Sequence, residues 1–293
     1  MKILPFKIAK PVDQSIWIQN DRLPHLYDIL HQHKEFQITL IKKSTGNVIA
    51  GNQFIAFHPG DIFVFGQGLP HALRNDPEYY REGNNLTAQA LSIYFEKEIF
   101  GEPFWNLPET KTVKDYMEKA NRGLFYPGTF HQNEIQIIEQ ISEEKQINRL
   151  LLTLELITRL SKSKHEEILA TDGTYNNLNE TDEKRLDAVF RFTLNEFYRP
   201  ISLEEVAGVS NMTVNSFCRY FKTRTRKTYV DFLTEYRIGQ ACKLLQQEDY
   251  SVSEICYRVG FGNLSNFNRK FKKMNGCTPK QYRNKQIRQN VTK

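Results

Sequence analysis

A chain of 293 residues is long enough for about two domains with substantial cores, and no stretch reaches the ~18 consecutive apolar residues of a membrane span. The net charge of +6 conceals a division: residues 182–293 hold 21 Lys and Arg against 11 Asp and Glu, a net of +10, whereas the remainder holds 19 against 23, a net of −4. That asymmetry excludes a uniformly basic protein and predicts a polyanionic partner for the C-terminal part alone.

The opening run MKILPFKIAKP lacks the apolar core of a secretory leader. Cys218, Cys242, Cys256 and Cys277 all lie in the basic part with no C-x-x-C pair, so reduced thiols acting as small apolar residues are expected, in a soluble, cytoplasmic protein.

From Phe36 to Phe95 short apolar runs alternate with turns. Phe36, Ile38 and Leu40 alternate with Gln37, Thr39 and Ile41; Ser44 to Asn47 and Gly51-Asn52 turn the chain; Phe54 to Phe57 and Ile62 to Phe65 flank His58-Pro59-Gly60-Asp61. Strands at this spacing predict a β-sandwich or small barrel. Strand period places His31, His33 and Gln37 on one face, where His71 converges from a neighbouring strand. After Tyr94 the period becomes helical. Val113, Tyr116, Met117 and Ala120 predict one helix, ended by Gly123, and Ile135, Ile138 and Ile141 a second. Ile147, Leu150, Leu151, Leu154, Ile157 and Leu160 predict a third, with Leu152 and Leu156 widening a stripe that packs on its own domain.

Residues 161–180, SKSKHEEILATDGTYNNLNE, show little apolar period and read as a linker. Asn179 or Thr181 caps the next helix, in which Leu186, Val189, Phe190 and Leu194 face inward until Arg199-Pro200 closes it. Ile201 to Arg224 reads as a helix-turn-helix. Tyr229, Phe232, Leu233, Tyr236, Ile238, Ala241, Leu244 and Leu245 mark one long helix of about twenty residues, which spans about 30 Å. A second helix-turn-helix follows from Ser251 to Arg283: Val252, Ile255 and Cys256 line a short helix, Gly260 breaks it, and a helix from about Asn263 buries Leu264, Phe267 and Phe271. The two units repeat each other. Ser216-Phe217-Cys218-Arg219-Tyr220-Phe221-Lys222 returns fifty residues later as Asn266-Phe267-Asn268-Arg269-Lys270-Phe271-Lys272.

The run Tyr236-Arg237-Ile238, Ala241, Leu244-Leu245, Ile255, Gly260-Phe261, Ser265, Phe267, Arg269, Phe271-Lys272, Gly276, Pro279 and Tyr282-Arg283 resembles the AraC/XylS family of bacterial transcription regulators over about a hundred residues. The resemblance implies an α+β chain: an N-terminal cupin-like β-barrel plus helices at 1–164, a linker at 165–180, and a C-terminal all-α DNA-binding domain with two helix-turn-helix motifs at 181–293. Pro59-Gly60-Asp61 followed by Leu69-Pro70-His71 resembles the second cupin motif. Cupin enzymes hold a metal with two histidines, a carboxylate and a later histidine. Here Gln37, a neutral amide, stands where the pattern asks for Glu, and Glu35 is spaced too closely to the histidines to replace it. The expectation is a small-molecule site lined by His31, His33, Gln37 and His71, with no metal, cofactor or catalytic residue; a metal site and purely structural histidines are the alternatives.

The function implied is a sequence-specific DNA-binding regulator whose barrel responds to a small molecule. Asn215 and Arg219 in the first unit, and Ser265, Asn268 and Arg269 in the second, are the expected base readers. Lys222, Lys227, Lys272 and Arg283 are the expected phosphate contacts. Cys218 is a poor hydrogen-bonding residue, so the first reading helix should discriminate fewer bases. A double-stranded operator, an effector, RNA polymerase if the chain activates, and a second copy paired through the leucine-rich helix are the partners implied, with no membrane among them. The rival readings are a cupin metalloenzyme carrying a nucleic-acid module and an architectural DNA-binding protein without a ligand.

Overall fold

The chain folds into two compact units, Met1–Glu183 and Lys184–Lys293. The structure, a computed structural model, describes residues 11, 13–50, 53–170, 180–225, 227–245 and 250–284. The turn expected at Gly51-Asn52 and the cap expected at Asn179 lie outside these residues.

The first unit carries nine antiparallel strands among the described residues: β1 Ile16–Leu23, β2 Phe36–Lys43, β3 Gly46–Ala50, β4 Gln53–Phe57, β5 Ile62–Phe65, β6 His71–Asn75, β7 Ala88–Phe95, β8 Leu124–Tyr126 and β9 Glu167–Ile168. One sheet has the order β1-β7-β2-β5-β8-β9 and the other β4-β3-β6. Phe63, Phe65 and Ala90 of the large sheet share a core with Val48, Phe57 and Leu73 of the small one. The opposite face of the large sheet puts Phe36, Ile38, Leu40, Val64 and Ile93 into a second core beneath helices. Both faces of β2 are therefore covered, and Phe36 through Ile41 are all buried although the sequence alternates. Gln37 and Thr39 are thereby directed to the space between the sheets.

Among the described residues four α-helices lie in this unit: α1 Gly101–Trp105, α2 Lys111–Ala120, α3 Gln132–Glu143 and α4 Gln146–Ser161. α2 buries the four residues its period predicts. α3 buries Ile137, Ile138 and Ile141, with Ile135 only half-buried. α4 departs from expectation: it buries Thr153, Leu156, Ile157 and Leu160, whereas Ile147 and Leu151 are 60% and 56% exposed. The wide leucine stripe admits more than one inward face, and packing against α2 and α3 selects one along the C-terminal half.

The expected linker also begins later than 165. Ile168 and Glu167 pair with Leu124 and Phe125, Leu169 N donates to Gly123 O at 2.9 Å, and Ala170 N donates to Arg122 O at 2.8 Å. Leu169 and Ala170 are buried, which supplies the apolar reason for this edge strand.

The second unit contains α5 Glu180–Glu196, α6 Leu203–Val209, α7 Val214–Thr225, α8 Tyr229–Leu245, α9 Val252–Arg258 and α10 Leu264–Asn275. Thr181 lies inside α5 rather than at its cap. Leu186, Val189, Phe190 and Leu194 are buried as their spacing predicts. The described α8 has seventeen residues, a length of roughly 25 Å. Its first half packs on the first helix-turn-helix through Tyr229 and Phe232 against Phe217 and Phe221. Its second half places Ile238, Ala241 and Leu245 in one core with Ile255, Phe267 and Phe271.

α9 starts on a reciprocal cap: Ser251 Oγ accepts from Glu254 N at 3.2 Å and Glu254 Oε2 accepts from Ser251 N at 2.8 Å. A Ser251→Ala variant should lose about 1 kcal/mol of stability, read as a lower midpoint in the denaturant unfolding of the helical signal.

Candidate nucleic-acid interface and buried histidine cluster

α6 with α7 and α9 with α10 repeat each other in hydrogen bonds as well as in sequence. After α6 the chain enters the left-handed region at Asn211 (φ 54°), and after α9 at Gly260 (φ 84°). Asn and Gly are the residue types that tolerate this conformation. Met212 N donates to Ala207 O at 3.0 Å, and its counterpart Phe261 N donates to Cys256 O at 3.1 Å. A Cβ on Gly260 would lie 2.3 Å from Phe197 O, so the second turn also needs a glycine for space. Each following helix is then capped from its preceding residue: Ser216 N donates to Thr213 Oγ1 at 3.4 Å, and Asn266 N to Asn263 Oδ1 at 2.8 Å. Nothing in the linear pattern singled out Asn211; its place opposite Gly260 in the repeat was the available signal.

Phe217, Phe221, Phe267 and Phe271 are fully buried and fix which faces of α7 and α10 turn inward. The faces left outward carry Asn215, Cys218, Arg219 and Lys222 on α7, and Ser265, Arg269 and Lys272 on α10, all exposed, with Asn268 half-buried. Arg269 Nη2 donates to Asn266 Oδ1 at 2.9 Å, which holds the guanidinium along the helix rather than loose in solvent. Asn215, Arg219, Ser265, Asn268 and Arg269, the base readers expected from the sequence, lie on these outward faces of α7 and α10.

Two of the expected phosphate contacts are engaged elsewhere. Lys227 Nζ pairs with the Glu235 carboxylate and is only 19% exposed at its side chain. Arg283 is half-buried and Nη2 donates to Tyr250 O at 2.6 Å, tying the C-terminal turn to the start of the second motif. Arg237 is a third cation turned inward. Its Nε and Nη2 donate to Phe197 O and Arg199 O at 2.8 and 2.6 Å, bracketing the end of α5 against α8, and burial lowers its pKa. Composition counts these groups as part of a basic face, but the fold uses them as brackets.

In the first unit, the space between the sheets holds His31, His33, Gln37 and His71, all buried, with His71 fully so. Residues 31 and 71 pair through two backbone hydrogen bonds of 3.0 and 2.9 Å, which fasten the segment before β2 to β6. Each imidazole addresses a backbone carbonyl with Nδ1: His31 to Ile29 O at 2.8 Å, His33 to Glu35 O at 3.1 Å and His71 to Leu69 O at 2.8 Å. A carbonyl only accepts, so Nδ1 carries the proton in all three rings. Burial holds the pKa of His31 down to about 4, with the neighbouring His33 adding to it; burial and the other two rings hold His71 well below the ordinary histidine range. These two rings are therefore neutral near pH 7, with Nε2 as a lone pair.

Gln37 Oε1 lies 2.9 Å from His33 Nε2 and 3.0 Å from His71 Nε2, and its Nε2 donates to Thr39 Oγ1 at 2.7 Å. Thr39 Oγ1 meets Ser92 Oγ at 2.8 Å across the β2–β7 ladder. Phe65 stacks on His71 with centroids 4.0 Å apart, and Tyr94 stands edge-on to His33 at 5.8 Å. The four residues expected from strand period do converge. Glu35 is buried on the other side of the His33 ring: its Oε2 is 3.4 Å from Nδ1, whereas Gln37 faces Nε2. One nitrogen from each of His31, His33 and His71 lies within 4.8 Å of the others, so these rings could hold a metal ion.

A helix-turn-helix domain model matches residues 206–285. The chain is similar to the uncharacterized HTH-type transcriptional regulator YdeC of Bacillus subtilis, 25% identical over 261 residues that cover 88% of this chain and 86% of that protein. It is 29% identical over 276 residues to the HTH-type transcriptional activator RhaS of Klebsiella pneumoniae, covering 89% and 90% of the two chains. Similarity to the HTH-type transcriptional regulator MtrA of Neisseria gonorrhoeae is 24% over 242 residues, 76% and 77% of the chains.

Proposed function

Because the chain belongs to the AraC/XylS family of DNA-binding transcription regulators, we propose that α7 and α10 are its reading helices and that the first unit adjusts their grip on an operator in response to a bound effector. The observation that carries this reading is the duplicated helix-turn-helix, in which each buried Phe pair turns a polar, cationic helix face outward. Asn215, Arg219, Ser265, Asn268 and Arg269 read bases, with Arg donating twice to guanine and Asn pairing with adenine. α8 is packed into the cores of both motifs, so it holds the two reading helices at a fixed separation.

Among the expected phosphate contacts, exposure separates Lys222 and Lys272 from Lys227 and Arg283. Lys272→Ala should weaken binding to all sequences alike and reduce the slope of log affinity against log salt by about 1, whereas Lys227→Ala should leave the slope unchanged. Fluorescence anisotropy over a salt series checks both.

The sensor half of the proposal rests on the buried polar cluster of His31, His33, Gln37 and His71 between two otherwise apolar sheets. An effector that shifts operator occupancy must bind two arrangements of the protein with different affinity. The reading assigns the cluster to binding and no reaction to the chain, in keeping with relatives that are transcription regulators. It places the protein in the cytoplasm with its operator; no helix among the described residues is long and apolar enough to cross a membrane. The exposed Ile147 and Leu151 of α4 are the apolar face through which a second copy would pair, and RNA polymerase is a partner if the regulator activates. Selection of bound sequences from a random DNA pool, with and without metabolite fractions, tests the proposal: a single enriched motif whose occupancy a fraction alters is expected, and an unenriched pool would refute it.

A further inference from the structure

We propose that Asn266 is a positioning residue for base reading by α10: its side-chain oxygen holds the Arg269 guanidinium in place, so that the second motif selects guanine more strictly than the first. This role presupposes that α10 reads bases, as proposed above. Arg269 Nη2 donates to Asn266 Oδ1 at 2.9 Å. A guanidinium only donates, so the amide oxygen is the atom that must face it, and Nδ2 points away. Residues three apart share one helix face, which brings the two side chains together. One of the five guanidinium donors is used, and a two-donor edge remains for O6 and N7 of a guanine.

No carboxylate competes for this arginine. The sequence of α10, LSNFNRKFKKMN, contains neither Asp nor Glu, and among the described residues Arg269 pairs with no acid. Exposed Lys272 and Lys273 stand one turn towards the C-terminus, where like charge turns the guanidinium towards Asn266. A carboxylate in place of the amide would hold Arg269 as well, but would cancel charge that attracts a phosphate backbone; the neutral oxygen orients without neutralising. Asn266 is half-buried, and its backbone N donates to Asn263 Oδ1 at 2.8 Å, a cap that does not involve its own side chain.

The first motif supplies the contrast. Ser216 stands where the repeat has Asn266, its hydroxyl accepts from Thr213 Oγ1 at 3.0 Å, and Arg219 makes no hydrogen bond to a described residue. A loose arginine turns to a phosphate or to another acceptor when its guanine is replaced, which blunts discrimination. Arg269 can do so only by giving up its amide partner. Holding a long side chain beforehand also lowers the ordering cost of docking. The same bond keeps Asn266 from reading adenine, a contact that needs its oxygen and nitrogen together, and leaves that contact to Asn268, whose amide is not engaged among the described residues.

The test is fluorescence anisotropy of the full chain on a selected operator, on a scrambled duplex and on operators with each guanine replaced in turn. The guanine whose replacement no longer matters in Arg269→Ala is the one that Arg269 reads. Asn266→Ala should lower the preference for that guanine by about three- to tenfold, with scrambled-duplex affinity and its salt dependence unchanged. Asn266→Asp keeps the oxygen and should retain the preference, while its added negative charge weakens binding to every duplex; a residue that merely supports the helix would give no such rescue. Circular dichroism confirms the fold of both variants. An unchanged preference in Asn266→Ala, a loss confined to a different base pair, or a loss in Asn266→Asp as complete as in Asn266→Ala would overturn the positioning role and keep α10 as a reading helix. If no guanine responds to Arg269→Ala, base reading by that arginine falls, and the role of Asn266 with it.

Discussion

Phe267→Ala should unfold the second helix-turn-helix while leaving the sensor unit folded. Phe267 is fully buried between Phe261 at 5.2 Å and Phe271 at 5.7 Å, in the core that α8 contributes to from Ile238, Ala241 and Leu245. Truncating such a ring costs about 3–5 kcal/mol, a large part of the roughly 5–15 kcal/mol that holds a domain folded. The two tryptophans, Trp17 and Trp105, both belong to the first unit, so their fluorescence follows that unit alone. The expected result is an early loss of helical circular dichroism in urea with an unshifted fluorescence transition. Tyr257→Ala, at a side chain 57% exposed on the neighbouring helix, should move neither by more than about 0.5 kcal/mol. Coincident shifts in both signals for Phe267→Ala would mean that the two units do not unfold independently.

The second large effect belongs to the paired arginines. Arg219→Ala and Arg269→Ala should each cost about 1–3 kcal/mol of specific DNA affinity and relax preference at different base positions. They sit on separate helices, α7 and α10, so their costs should add in the double variant and reduce binding to a selected operator toward the non-specific level. Gel shifts on the selected operator and on a scrambled duplex measure the two contributions separately. A double variant that still prefers the operator would place base reading elsewhere.

The repeat in the C-terminal part was legible because the signal of each motif is local. Buried Phe residues recur at helical spacing and fifty residues apart, so both motifs and their outward faces follow from sequence, whereas the left-handed residues Asn211 and Gly260 stand forty-nine apart and the two turns differ by one residue. What escaped depends on tertiary partners. The leucine-rich α4 could turn several faces inward, and only packing shows that Ile147 and Leu151 face out. Cations look alike in a sequence whether they meet DNA or a carbonyl; Lys227, Arg237 and Arg283 are committed to Glu235, Phe197 and Tyr250. Edge strand β9 escaped because Ile168, Leu169 and Ala170 are too short a run to show a period. For the histidines, strand period brings His31, His33, Gln37 and His71 to one buried face. The backbone carbonyls of Ile29, Glu35 and Leu69 that orient the three rings become visible only in three dimensions.

The claim on which the functional account depends is that one chain presents two reading helices, held by α8, to two stretches of the same duplex. Methylation-interference footprinting on a selected operator tests it most directly. The account predicts two patches of major-groove guanines about one helical turn apart on one face of the DNA, the patch read by α10 vanishing in Arg269→Ala and the other in Arg219→Ala. A single patch, or two patches on opposite faces, would contradict it.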